Sequence, residues 1–102
     1  MKELTSTQAK YLRGIAHGLK PIIFIGQKGL TEALVRSTEE AFDQHELIKI
    51  KFIDYKEKNQ KVEISRALEG RTGSHLTGMI GHIAILYRQH PDQEKRKIVL
   101  PR

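Results

Sequence analysis

The chain has 102 residues, the size of one small domain, so we expect a single domain over residues 1–102. Its 18 Lys and Arg residues outnumber the 12 Asp and Glu residues, and the net charge of +6 favours a polyanionic partner, either nucleic acid or an acidic membrane surface. The sequence contains no cysteine, which excludes a disulfide scaffold, a thiolate metal site and a cysteine nucleophile.

Apolar runs in the sequence are short. None approaches the roughly 20 residues that a membrane-spanning helix requires, and the first ten residues carry no signal-peptide pattern. We therefore expect a cytoplasmic protein without a membrane partner.

The first predicted element is a helix. Thr5 and Gln8 have the spacing of a capping box, in which each side chain satisfies a free backbone amide at the helix start. Apolar residues then recur at steps of three and four: Ala9, Leu12, Ile15, Ala16 and Leu19. Pro21 ends this pattern, and the unbroken apolar run at residues 22–25 predicts a strand buried on both faces, with Phe24 in the core.

A second helix and a second strand follow. Residues 30–46 have an apolar face opposite an acidic one, which is typical of an amphipathic helix. Residues 47–52 alternate between apolar side chains and others that include Lys49 and Lys51. This alternation predicts a strand with one packed face and one mostly solvated, cationic face.

The last third of the chain predicts a helix, a hairpin and a tail. Residues 57–73 fit a helix that Gly73 would cap at its C-terminus, although Gly70 interrupts the pattern. Gly81 suits the turn of a hairpin whose second arm, residues 83–87, is apolar enough to be central in a sheet. Residues 88–102 form a basic tail whose apolar end we expect to dock on the domain.

These elements define the fold class. Their order is helix-strand-helix-strand-helix-strand-strand, which predicts an α/β (α+β) single domain with a mixed four-stranded sheet and packed helices. Strand–helix–strand units give parallel neighbours, and the hairpin adds an antiparallel pair.

One loop has the composition of an anion site. Gly26, Gln27, Lys28 and Gly29 lie between the first strand and the second helix, where unpaired helix amides and a lysine meet. Glycines allow close approach of a ligand to the backbone, and a G-x-x-G loop also clamps the nucleic-acid backbone in the KH module. The alternative is that the two glycines only permit a tight turn.

Other site chemistries find little support. The loop lacks the spacing of a Walker motif or of a dinucleotide fingerprint. The five histidines show no metal-ligand spacing, and neither Ser65 nor Ser74 has an evident base. We therefore expect no catalytic residue, no metal, no cofactor and no small-molecule substrate.

Four segments of the sequence form a familiar pattern when taken together: residues 19–21, 26–32, 45–49 and 80–88. In this order they resemble the CRM domain (chloroplast RNA splicing and ribosome maturation), in particular its stand-alone bacterial YhbY-type form. The resemblance implies a fold similar to the C-terminal domain of bacterial translation initiation factor three. It also implies binding of ribosomal RNA of large-subunit precursors, with a role in ribosome assembly.

The resulting hypothesis is a non-enzymatic, monomeric RNA-binding protein. Backbone amides at residues 27–30 and Lys28 would hold phosphates. A wider cationic surface is predicted at Lys20, Arg88, Lys10 and Arg13. Whether Lys49 and Lys51 share this surface stays open.

The alternative hypothesis is a protein–protein adaptor on assembling ribosomes that uses the acidic helix at residues 30–46 and the tail. A phosphate-handling enzyme lacks an identifiable base or metal, and duplex DNA binding lacks a recognition-helix motif.

Overall fold

A computed structural model describes residues 3–102 and has the predicted order of elements. The helices and strands are α1 (Ser6–Ala16), β1 (Ile23–Ile25), α2 (Glu32–Gln44), β2 (Leu47–Phe52), α3 (Lys58–Thr72), β3 (His75–Ile80) and β4 (Ile83–Tyr87), and a 3₁₀ turn follows at Gln93–Lys95. Within residues 3–102, no helix is both long enough and apolar enough to cross a membrane.

The four strands form one mixed sheet in the order β1-β2-β4-β3. β1 and β2 are parallel, whereas β4 is antiparallel to both β2 and β3. The prediction of a mixed four-stranded sheet with β4 in its interior is therefore confirmed. β2 is the other interior strand, and β1 and β3 are the edges.

Alternation along the strands divides the core between the two faces of the sheet. On one face, α2 and α3 pack against alternate strand residues such as Ile48, Ile50 and Leu86. On the opposite face, Leu12 and Ala16 of α1 pack against the intervening strand residues, Leu47, Ile85 and Tyr87. The helix α1 covers the end of the sheet where β2 begins.

The first strand departs from the prediction. Residues 22–25 were expected to be buried on both faces, but β1 is an edge strand with Ile23 and Ile25 buried and Phe24 55% exposed. Ile22 is also exposed. An apolar run looks the same for an edge strand as for a central one, and only the strand order reveals that α1 does not cover this edge.

The capping predictions are largely confirmed. Thr5 and Gln8 form the expected capping box at the start of α1. The helix α3 runs through the exposed Gly70 to a left-handed Gly73 that caps it. The helix α2 is shorter than predicted, because the backbone at His45 is already extended.

The tail docks on the domain, as expected for its apolar end. Ile98 and Leu100 pack against the α1 cluster. The buried carboxylate of Glu46 accepts hydrogen bonds from the backbone amides of His90, Lys97 and Ile98 at 2.7–3.0 Å. Glu46 thereby fastens the tail beside the start of β2.

Candidate functional site

The loop between β1 and α2 is a tight turn. The amide of Gly29 donates to the carbonyl of Gly26 at 3.0 Å, and Gly29 has a left-handed φ of 65°. A Cβ at Gly29 would lie 2.8 Å from the Tyr55 hydroxyl oxygen, so glycine is required there. Among residues 3–102, a Cβ at Gly26 would meet only the Asp54 carboxylate, at an ordinary 3.7 Å.

Side chains beneath the loop hold it in place. The Tyr55 hydroxyl donates to the carbonyl of Gln27 at 3.0 Å, and its ring meets the ring of Phe52 edge-on at a centroid distance of 6.4 Å. Gly29 itself is buried, while Gln27 and Lys28 are exposed. The loop therefore has an anchored base and a solvated tip.

The backbone amides are only partly used by the protein. The Gly29 amide is taken by Gly26, and the Thr31 hydroxyl caps α2 by accepting from the amide of Leu34 at 3.0 Å. Within residues 3–102, no protein acceptor lies within hydrogen-bonding distance of the amides of Gln27, Lys28 or Leu30. Three of the four amides predicted as phosphate donors are therefore available, next to the positive end of the α2 dipole.

Phe24 borders the same site. An open groove of about 520 Å³ is lined by the G-x-x-G loop, by the first turns of α2 and by Phe24. The apolar run predicts Phe24 in the core, so the prediction from sequence was wrong at this residue of the groove. The sequence offers no local signal for this exposure, because Pro21 lies outside β1 and a short apolar run fits an edge strand and a central strand equally.

Ion pairing moderates the acidic charge near the helix start. Glu32 lies in the first turn of α2, and Arg71 donates to both of its carboxylate oxygens at 2.7 and 2.8 Å. This hydrogen bond and the positive charge of Arg71 lower the pKa of Glu32. Asp54 remains as an acidic group beside Gly26, so an anion is favoured toward Lys28 and away from Gly26.

The two lysines of β2 have different environments. Lys51 is exposed and is the cross-strand partner of Phe24, which places it on the same face next to the groove. Lys49 instead donates through Nζ to the carbonyl of Leu19 at 2.9 Å, toward the opposite end of the sheet. Of the two, Lys51 is the one that extends the cationic surface at the loop.

Both predicted arginines are engaged within the protein. Arg13 donates to the carbonyl of Thr77 at 2.8 Å, and its aliphatic stem fills the space above Gly78. Arg88 pairs with Glu39 at 2.7 Å, and its side chain is 17% exposed. The guanidinium of Arg88 also lies 4.8 Å from the centre of the Phe42 ring. We therefore leave these two arginines out of the candidate surface.

The predicted cations do not form one cluster. The loop follows Ile25, which pairs with the last residue of β2, whereas Arg88 follows Tyr87, which pairs with the first. Lys20 precedes β1 and so lies at the same end as Arg88. Lys10 and Lys20 are both exposed, on and just after α1.

Within residues 3–102, no group of three or more His, Cys, Asp or Glu residues could hold a metal ion.

Known proteins resemble this chain over nearly its full length. A family model described as the CRS1 / YhbY (CRM) domain matches residues 4–88. The chain belongs to this family. The CRM match begins just before the capping box and ends just after β4, so it covers all three helices and the whole sheet.

Relatives of this CRM protein carry similar names. It is 38% identical to an RNA-binding protein of Haemophilus influenzae, over 100% of this chain and 99% of that protein. It is 33% identical to the probable RNA-binding protein YqeI of Bacillus subtilis, over 96% and 99% of the two chains. The solution structure of a Staphylococcus aureus protein, described as a candidate RNA-binding protein, superposes with a TM-score of 0.82 at 30% identity and covers 97% of this chain and 100% of that one.

Proposed function

We propose that this CRM protein binds RNA at the G-x-x-G loop as a monomer, without catalysing a reaction. One observation carries the proposal: within residues 3–102, no protein group accepts a hydrogen bond from the amides of Gln27, Lys28 or Leu30. Unpaired amides beside a helix N-terminus are suited to binding an anion. The names of the relatives support RNA as the polyanion.

The proposed target is ribosomal RNA of large-subunit precursors, which the protein would bind in the cytoplasm during ribosome assembly. This part of the proposal rests on the family resemblance of the sequence. The groove itself is suited to any RNA backbone, because amides and a lysine contact phosphates without reading bases.

Contacts beyond the loop determine how RNA is oriented. Lys28 and Lys51 would neutralise phosphates around the groove, and the exposed Lys10 and Lys20 would extend binding only for RNA long enough to pass α1. Each neutralised phosphate adds roughly 0.7–0.9 to the slope of log affinity against log salt concentration. A short RNA that reaches only the groove is therefore expected to give a smaller slope than a long one.

A double substitution of the loop tip tests the proposal. Gln27→Asp with Lys28→Asp places negative charge at the free amides and is expected to reduce RNA affinity by about tenfold or more at moderate salt. Thermal stability is expected to change little, because both side chains are exposed. Unchanged affinity would mean that the loop is only a turn.

The tail offers a matched control. Gln93→Asp with Lys95→Asp makes the same change in residue types and charge, also at exposed positions. Lys95 borders a cavity with Leu47 at the start of β2, whereas the loop lies at the end of β2. This variant is expected to bind a short RNA almost as the wild type does. If both double variants lose affinity equally, general electrostatics and not the loop governs binding.

The adaptor hypothesis makes a different prediction. Arg88 already pairs with Glu39 and lies 3.9 Å from Asp43, which offsets part of the acidic surface of α2. Co-sedimentation with ribosomal particles that persists after RNase treatment would favour an adaptor. We expect RNase treatment to release the protein.

A further inference from the structure

The face of the sheet that carries α1 is partly open. Cross-strand pairing places Phe24, Lys51, Ile83 and Ile80 side by side across all four strands. We call these four residues the open row. Phe24 is 55% and Ile80 64% exposed, while Lys51 is exposed and Ile83 half-buried.

The neighbouring row explains why α1 leaves this one uncovered. That row includes Ile85 and Gly78, where Leu12 and Arg13 of α1 pack closely. The helix α1 therefore covers the row that contains Ile85 and Gly78 but not the next row, which contains Phe24. An aromatic ring is therefore presented to solvent on a rigid strand, without the burial that rings normally gain on folding.

Phe24 also lines the groove that the loop residues Gln27 and Lys28 line. A phosphate-binding backbone, a lysine and an aromatic face thus occur at one place. These are the groups that complement the two halves of a nucleotide, because the phosphate is an anion and every base has a π-face that stacks on aromatic rings.

We propose that Phe24 stacks on an unpaired base of the RNA whose neighbouring phosphate is held by the loop at Gln27 and Lys28. The inference rests on the proposed function and narrows its substrate to RNA with at least one unstacked nucleotide. Bases inside a duplex have both faces covered, so a fully paired RNA makes only the phosphate contacts. The cationic charge of Lys28 and Lys51 beside the ring favours a nucleotide over an uncharged apolar partner.

The experiment compares a 12-nucleotide single-stranded RNA with the same RNA annealed to its complement. Phe24→Leu keeps an apolar side chain but removes the ring, and is expected to weaken single-strand binding by about five- to 150-fold. Duplex affinity and the salt slope of single-strand binding are expected to stay unchanged. Phe24→Tyr retains the ring and is expected to bind both RNAs as the wild type does.

Several outcomes would overturn the inference. The inference fails if Phe24→Leu weakens binding of both RNAs equally or of neither. It also fails if Phe24→Tyr loses as much single-strand affinity as Phe24→Leu does. A further contrary result is that the wild type self-associates and Phe24→Leu abolishes this self-association without changing RNA affinity. The open row would then be an interface between copies of the chain and not a base-binding surface. Wild-type protein that binds neither RNA overturns the proposed function itself.

Crosslinking gives a second readout that needs no variant. Single-stranded RNA substituted with 5-iodouridine is expected to crosslink to Phe24 on irradiation of the wild-type complex, as mapped by mass spectrometry. Crosslinks confined to residues outside the open row and the loop would contradict stacking.

The two sets of variants separate the two proposals. If the Gln27→Asp, Lys28→Asp variant loses RNA binding while Phe24→Leu binds as the wild type does, the loop proposal stands and only the base contact is removed.

Discussion

The hydroxyl of Tyr55 donates a hydrogen bond to the carbonyl of Gln27 across 28 positions of sequence, at 3.0 Å. This bond ties the segment after β2 to the underside of the loop that follows β1. It turns the carbonyl of Gln27 inward, while the amides of Gln27 and Lys28 have no protein acceptor within residues 3–102. The conformation of the loop is thus held by a contact within the protein, and the proposed phosphate donors need no ligand to position them.

Removing this hydroxyl is expected to loosen the loop. Tyr55→Phe keeps the edge-on ring contact with Phe52 but loses the hydrogen bond, at a cost of about 0.5–1.5 kcal/mol in the free energy of unfolding. We expect faster hydrogen exchange at the Gly29 amide and an RNA affinity lowered several-fold. Tyr11→Phe, on the exposed surface of α1, is the matched control and should change neither quantity.

Glycine is required at one loop position and dispensable in α3. Gly29→Ala forces a left-handed φ on alanine and brings its Cβ against the Tyr55 hydroxyl, so we expect a loss of about 1–2 kcal/mol or more in unfolding free energy. Gly70→Ala lies in an exposed helical position with open space and should gain about 0.5–1 kcal/mol. Chemical denaturation measures both, and an equal effect of the two substitutions would contradict the described loop geometry.

Arg88 is expected to matter for stability and not for RNA binding. Arg88→Gln breaks the pair with Glu39 and the hydrogen bond to the Thr72 carbonyl, which we expect to cost about 1.5–3 kcal/mol. Arg66→Gln removes the exposed pair with Glu69 and should cost less than about 1 kcal/mol. The salt slope of RNA binding should be unchanged in Arg88→Gln. A slope reduced by about one, with stability intact, would return Arg88 to the RNA surface.

Docking of the tail is expected to depend on pH through Glu46. Burial acts to raise the pKa of this carboxyl, but the backbone amides of His90, Ile98 and Lys97 outweigh it, so the pKa lies below its ordinary value of 4.5. A lowered pKa in the folded state means that the carboxylate contributes its full stability above pH 4.5. That contribution is lost as the pH falls through the lower folded-state pKa.

Glu46→Gln tests this clamp. The amide nitrogen of glutamine cannot accept a hydrogen bond, so at least one of the part-buried backbone donors loses its acceptor, and we expect a loss of about 1–3 kcal/mol at neutral pH. The difference from the wild type should shrink below pH 4.5, as followed by denaturation at several pH values. Glu40→Gln, at an exposed position of α2, is the control and should show no such difference. A gap between wild type and Glu46→Gln that stays constant down to pH 2 would contradict the role of the carboxylate.

Much of the fold could be read from local patterns. The capping box of Thr5 and Gln8, the alternation in β2 and the terminal Gly73 of α3 each depend on neighbours within a few residues. These signals can be recognised in the sequence because each depends only on residues within one helical turn or along one strand. The position of the G-x-x-G loop between a strand and a helix was predictable for the same reason.

Only the tertiary structure decided which side chains are accessible to a ligand. Arg13 and Arg88 looked like free cations, but their partners Thr77 and Glu39 lie 64 and 49 positions away. Phe24 looked like a core residue until the strand order placed β1 at an edge that α1 does not reach. The sequence by itself determined the elements and the loop, because backbone preference and hydrophobic period are local. Exposure and ion pairing depend on how distant elements pack, and no local pattern records that packing.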